Sequence, residues 1–143
     1  MLAALWSQLF GLLHSRPVKA ITSHERGRRA EALAAEWLIR QGYRIAARNV
    51  RTPVGELDLI AHQGGALCFI EVRSRGVGSF GLAAETVTER KRRRIDRAAR
   101  WWLQRHRRGW RGPVRFDVVA IDEDRAGGAP RCRLITNAFE SGW

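Results

Sequence analysis

The chain is expected to fold as an α/β domain in the order helix, three strands, helix, two strands. Three observations predict this. Two stretches carry apolar residues at helical spacing, five short runs carry strand-forming residues, and a Gly64-Gly65 pair sits between two of those runs as a hairpin turn. With 143 residues, 45% of them apolar, the chain can build one core and has no room for a second domain.

Met1 to His14 contains Leu2, Leu5, Trp6, Leu9, Phe10, Leu12 and Leu13. The run is too short to span a membrane. Its positive charges, Arg16 and Lys19, follow the apolar part, the reverse of a secretory signal. Residues 1–20 therefore read as an amphipathic appendage and 21–143 as the domain, with no integral membrane association.

Thr22 or Ser23 can cap the first helix, with Glu25 completing a capping box on Thr22. Ala30, Leu33, Ala34, Trp37 and Leu38 form its apolar stripe, and Gly42 ends it. Tyr43 to Val50, Gly55 to His62 and Ala66 to Arg73 read as three strands in a meander, turning at Thr52-Pro53 and Gly64-Gly65. A glycine-rich segment, Gly76 to Gly81, leads to a long helix capped by Thr88, with Ile95, Ala98, Ala99 and Trp102 on its apolar face. Val114 to Ile121 and Arg131 to Thr136 are the last two strands.

Lys and Arg number 26 against 14 acidic residues, a formal charge of +12 that favours a polyanionic partner. Only Lys19 and Lys91 are lysines. A genome-wide bias toward arginine codons is the plainer source of that deficit, although arginine also grips phosphate with a planar fork of donors. Cys68 and Cys132 are too few and too far apart for a disulfide framework or a metal clip, which fits a reducing cytoplasm. The four histidines show no zinc-ligand spacing.

The two-glycine turn fixes a register. With Gln63 opposite Ala66, Asp58 falls opposite Glu71 and Glu56 opposite Arg73, all on one face. Leu57, Leu59, Ala61, Cys68, Ile70 and Val72 are then expected on the other. Facing carboxylates repel unless a counter-charge is present, and a hard divalent cation supplies one. The plainer alternative is a Glu56–Arg73 ion pair beside two solvated acids. A local acidic site inside a strongly basic chain tilts the reading toward metal-assisted work on phosphodiesters.

At this point the residues resemble a known family. Gly27 and Glu31, Gly42-Tyr43, Asn49, Gly55-Glu56-Leu57-Asp58-Leu59-Ile60, Phe69-Ile70-Glu71-Val72-Arg73, Phe80-Gly81, Lys91 and Arg115-Phe116-Asp117-Val118-Val119 look like the YraN-like bacterial proteins over residues 24–122. That family resembles a branch of the PD-(D/E)xK nuclease superfamily, akin to Holliday junction resolvases. The resemblance implies a restriction-endonuclease-like fold, a central mixed sheet of about five strands flanked by helices. It also implies Mg²⁺ or Mn²⁺ held by Asp58 and Glu71, with Glu31 as a third acid acting directly or through water.

One position departs from the superfamily pattern: its catalytic lysine is Arg73 here, which stays protonated and cannot accept a proton from water. Arg73 can still act as a fixed cation beside the transition state. Glu56, Lys91 and Arg75 are further candidates for catalytic or phosphate contacts, with solvated surface charge as the alternative for Lys91 and Arg75. Asp117 reads as the partner of an arginine.

Arg90, Arg93, Arg94, Arg97 and Arg105 on the second helix, with the Gly76 to Gly81 loop, are expected to meet nucleic acid, DNA before RNA. Trp101 and Trp110 could stack on bases. The expected function is a metal-dependent endonuclease on nucleic acid, with branched DNA as a candidate substrate. The alternatives are a binding module of the same fold that lost turnover, and an adaptor using the apolar N-terminal segment. A homodimer is implied by the resemblance alone.

Overall fold

The computed structural model describes residues 21–75, 87–124 and 126–143. The N-terminal appendage and the Gly76 to Gly81 loop, both singled out above, lie outside the described residues. The elements are α1 (Ser23–Arg40), β1 (Arg44–Thr52), β2 (Gly55–Gln63), β3 (Ala66–Arg75), α2 (Glu89–His106), β4 (Val114–Asp122) and β5 (Arg131–Phe139).

Helix α1 starts where its capping chemistry is. The Thr22 hydroxyl accepts from the Glu25 N–H, and the Glu25 carboxylate accepts from the Thr22 N–H at 2.7 Å. Thr88 caps α2 in the same way, its hydroxyl accepting from the Lys91 N–H. Gly64 and Gly65 both have positive φ, 57° and 82°, as a tight hairpin between β2 and β3 requires.

The strands form one sheet in the order β1-β2-β3-β4-β5. Neighbours are antiparallel except β3 and β4, which run parallel with α2 as their crossover. Each face is covered by one helix. Ala30, Ala34, Ala35 and Leu38 of α1 pack with Leu59, Ala61, Cys68, Ile70, Val119 and Ile121. Ile95, Ala98, Ala99, Trp102 and Leu103 of α2 pack with Ile60, Leu67, Phe69, Phe116 and Val118. The mixed five-stranded sheet between helices is the fold the sequence led us to expect.

Leu57 departs from that expectation. It lies in the α2 cluster, whereas Leu59 lies in the α1 cluster, so β2 changes face at Asp58. The neighbouring strand supplies the reason: Asn49, between the paired positions Arg48 and Val50, has φ of 51°, a left-handed kink opposite Asp58. At the start of β2, a Cβ on Gly55 would sit 3.3 Å from the Arg94 carbonyl oxygen of α2. That close approach brings the first half of α2 over the strand end where the carboxylates lie.

Candidate active site

The β2–β3 register follows the turn, from Gln63↔Ala66 to Leu59↔Ile70. There the pairing ends, one position short of Asp58 and Glu71. Toward its start β2 stays paired with β1 through Thr52↔Gly55, while β3 stays paired with β4 through Arg75↔Asp122. The two strands are held by different neighbours and part like a fork.

Asp58 sits in the crotch of that fork. Its Oδ2 accepts from the Val72 N–H at 2.8 Å, satisfying a backbone donor that β2 no longer reaches. Glu71 is 5% exposed. Its Oε1 receives the Lys91 ammonium at 2.5 Å from α2 and lies 3.4 Å from Arg73 Nε. The Arg73 contact has the distance of an ion pair without hydrogen-bond alignment, since Arg73 Nε makes no hydrogen bond among the described residues.

The same fork separates Glu56 from Arg73, which the extrapolated register had placed opposite each other. Glu56 instead lies 3.5 Å from Arg51 of β1, an exposed pair worth little. Lys91, for which a solvated role was the simpler expectation, reaches Glu71. Arg75 closes β3, and its side chain lies outside the described residues.

Asp58, Glu71, Glu56, Lys91, Arg51 and Arg94 line one cleft of about 570 Å³. Glu31 of α1 shares a smaller neighbouring cavity with Asp58 and Asn49. Its Oε2 is buried without a partner among the described residues.

Burial, with the Glu71 charge second, pushes the Asp58 carboxyl up from 3.8 to about 7 against the pull of the Val72 N–H. Burial also raises Glu31; Arg28 opposes the shift, and the Glu56 and Glu71 charges add to it. Acids on three elements thus feel one another across two neighbouring cavities that share Glu56 and Asp58. Among the described residues, no three His, Cys, Asp or Glu side chains stand close enough together to hold a metal by themselves. The direct donors available are therefore two carboxylates: Asp58 Oδ1 and Glu71 Oε2 have no partner among the described residues. Magnesium commonly takes one or two carboxylates and completes its shell with water and phosphate oxygens. The donor set fits such an ion, and Glu31 lines the adjoining cavity with Asp58.

Of the seven arginines of α2, the five expected to meet nucleic acid, Arg90, Arg93, Arg94, Arg97 and Arg105, are all exposed. Arg94 faces the cleft, Arg93 pairs with Glu89, and Arg105 lies 3.9 Å over the Trp101 ring. Trp102 is core, and Trp101 and Trp110 pack partly against it. Asp117 is fully buried and takes Arg115 at 2.8 Å and the Asn137 N–H at 3.0 Å, the arginine partnership expected of it. Sequence reasoning missed Arg51 as a cleft wall and Asn49 as the kink. Asparagine inside a strand was the available signal for the kink, because it tolerates the left-handed region better than most residues. Both cysteines are free, and no helix among the described residues is long and apolar enough to cross a membrane.

Fold and cleft together define a class: an α/β domain whose forked sheet holds two carboxylates, countered by cations from a crossover helix and a strand. The chain belongs to the uncharacterised protein family UPF0102, whose model matches residues 30–121. It is 48% identical over 115 residues to the UPF0102 protein STH1475 of Symbiobacterium thermophilum, covering 80% of this chain and 96% of that one. A UPF0102 protein of Moorella thermoacetica is 44% identical over 120 residues, covering 83% and 98%. PSPA7_4996 of Pseudomonas paraeruginosa is 40% identical over 119 residues, covering 83% and 95%. The matched segment contains Glu31, Asp58, Glu71, Arg73 and Lys91.

Proposed function

We propose that this chain is a metal-dependent endonuclease-like protein of the PD-(D/E)xK type, related to Holliday junction resolvases, that hydrolyses phosphodiester bonds in nucleic acid. The observation that carries this reading is the Asp58 and Glu71 pair: two carboxylates, each with one oxygen unpartnered among the described residues, share a cleft in a chain of net charge +12. Mg²⁺ or Mn²⁺ between them would neutralise charge on the scissile phosphate and lower the pKa of the attacking water.

The chain's own residues supply the rest. Lys91 and Arg73 both approach the same oxygen of Glu71, which restrains that carboxylate and leaves its other oxygen without a partner among the described residues. Lys91 brings from α2 an ammonium of the kind the superfamily carries on its strand, the position Arg73 occupies here. Arg51 and Arg94 on the cleft wall attract a phosphodiester and hold it by charge.

Arg73 also favours a second reading, a nucleic-acid-binding relative without turnover. Cleavage of labelled linear, flapped and four-way-junction DNAs and of an RNA, with Mg²⁺ or Mn²⁺, separates the two. The nuclease reading expects metal-dependent cutting that Asp58→Ala and Glu71→Ala abolish. Binding without cutting in the wild type and in Arg73→Lys would refute it in favour of the second.

A further inference from the structure

A second cavity, of about 540 Å³, opens at the far end of α2 between the helix and the start of β4. Arg100, Arg107, Arg108 and Arg111 line it, with the rings of Trp110 and Trp143. Trp143 is 47% exposed, and Arg100 lies 5.3 Å over its ring.

Helix C-termini attract cations, so this end of α2 has an internal use for some positive charge. That use is small. A helix C-terminus carries about half a negative charge, and Arg107 already serves it by donating to the His106 carbonyl at 2.9 Å. Arg100 pairs with Asp96 at 3.7 Å. Arg108 and Arg111 are exposed and have no hydrogen bond or ion pair among the described residues. Two uncommitted guanidiniums beside the exposed Trp143 indole match the two parts of an unstacked nucleotide, phosphate and base.

The cavity is also aligned with the carboxylate cleft. Arg94, Arg97, Trp101 and Gln104 follow one another at intervals of three and four residues, a single helix face that starts at the cleft and ends at the cavity, with Arg108 just past the helix end. From Lys91 to Arg107 the helix rises about 24 Å at 1.5 Å per residue. That equals about seven nucleotides of duplex at 3.4 Å each.

We propose that the Arg108–Arg111–Trp143 cavity binds an unpaired stretch of a nucleic-acid strand, so that substrates carry single-stranded nucleotides about seven positions from the phosphate held by Arg51 and Arg94 at the carboxylate cleft. The proposal rests on the nucleic-acid part of the reading above and not on cleavage, so binding is measured without metal.

The test is fluorescence anisotropy with a labelled oligothymidine of about 12 nucleotides and a blunt duplex, in EDTA, over a salt series. Arg108→Ala/Arg111→Ala is expected to weaken oligothymidine binding about tenfold and to lower the log–log salt slope by about 1.4, two phosphates at about 0.7 each. Trp143→Ala is expected to weaken it about fivefold. Duplex binding should hold in both. Arg40→Ala/Arg48→Ala removes the same charge from exposed sites elsewhere and should leave oligothymidine binding near wild type. Equal losses in that control, or wild-type oligothymidine binding by the Arg108/Arg111 variant, would overturn the cavity assignment. Wild-type protein that binds neither probe would overturn the nucleic-acid reading itself.

Discussion

Replacing Asp58 with asparagine should stabilise the protein, and only above a definite pH. The folded protein holds this carboxyl at about 7 against 3.8 for an ordinary aspartate, so between those values the native state keeps a proton that the unfolded chain releases. Stability therefore falls as pH rises through that window. At 1.36 kcal/mol per pH unit the full penalty above pH 7 is about 4 kcal/mol. Asparagine has the same shape, and its Oδ1 can keep the 2.8 Å bond from the Val72 N–H while carrying no charge toward Glu71. Urea denaturation of wild type and Asp58→Asn in EDTA, from pH 4 to 8, should give equal stabilities near pH 4. The difference should grow to about 4 kcal/mol by pH 8 in the variant's favour. A variant no more stable than wild type at pH 8, or an advantage that grows as pH falls, would refute the electrostatic account of the fork.

Lys91→Met should leave Glu71 buried with only the misaligned Arg73, lowering stability by about 1–3 kcal/mol in the same urea assay and sharply reducing cleavage. Arg73→Lys, which restores a strand lysine, should raise the cleavage rate in single-turnover assays while leaving nucleic-acid affinity near wild type. Arg115→Met should remove the counter-charge of the fully buried Asp117. The expected cost is about 3–5 kcal/mol, read as a lowered thermal midpoint with no specific effect on metal binding.

The elements were legible because local chemistry agrees with the tertiary result. Thr22 with Glu25, Thr88, and the Gly64-Gly65 pair mark three boundaries that the structure keeps. The fork was not legible. A hairpin register extrapolates only while both strands remain partners, and the parallel β3–β4 pairing that draws β3 away depends on a crossover helix far along the chain. The Glu56–Arg73 juxtaposition therefore failed, although Asp58 and Glu71 still converge on one cleft. Lys91 was ambiguous for a similar reason: a helix lysine has a role only once the helix is seated. The seat depends on Gly55, where α2 approaches the strand too closely for a side chain to fit without movement. The Leu57 face change depends on one residue, Asn49, whose left-handed conformation shifts the alternation by a position.

The most direct test of the metal site is a calorimetric titration of Mn²⁺ into wild type, Asp58→Asn and Glu71→Gln at several pH values. One ion should bind wild type, with affinity rising about tenfold per pH unit below 7 as Asp58 gives up its proton, and neither variant should bind it. No binding to wild type, or binding that survives both substitutions, would contradict the assignment of Asp58 and Glu71 as a metal site.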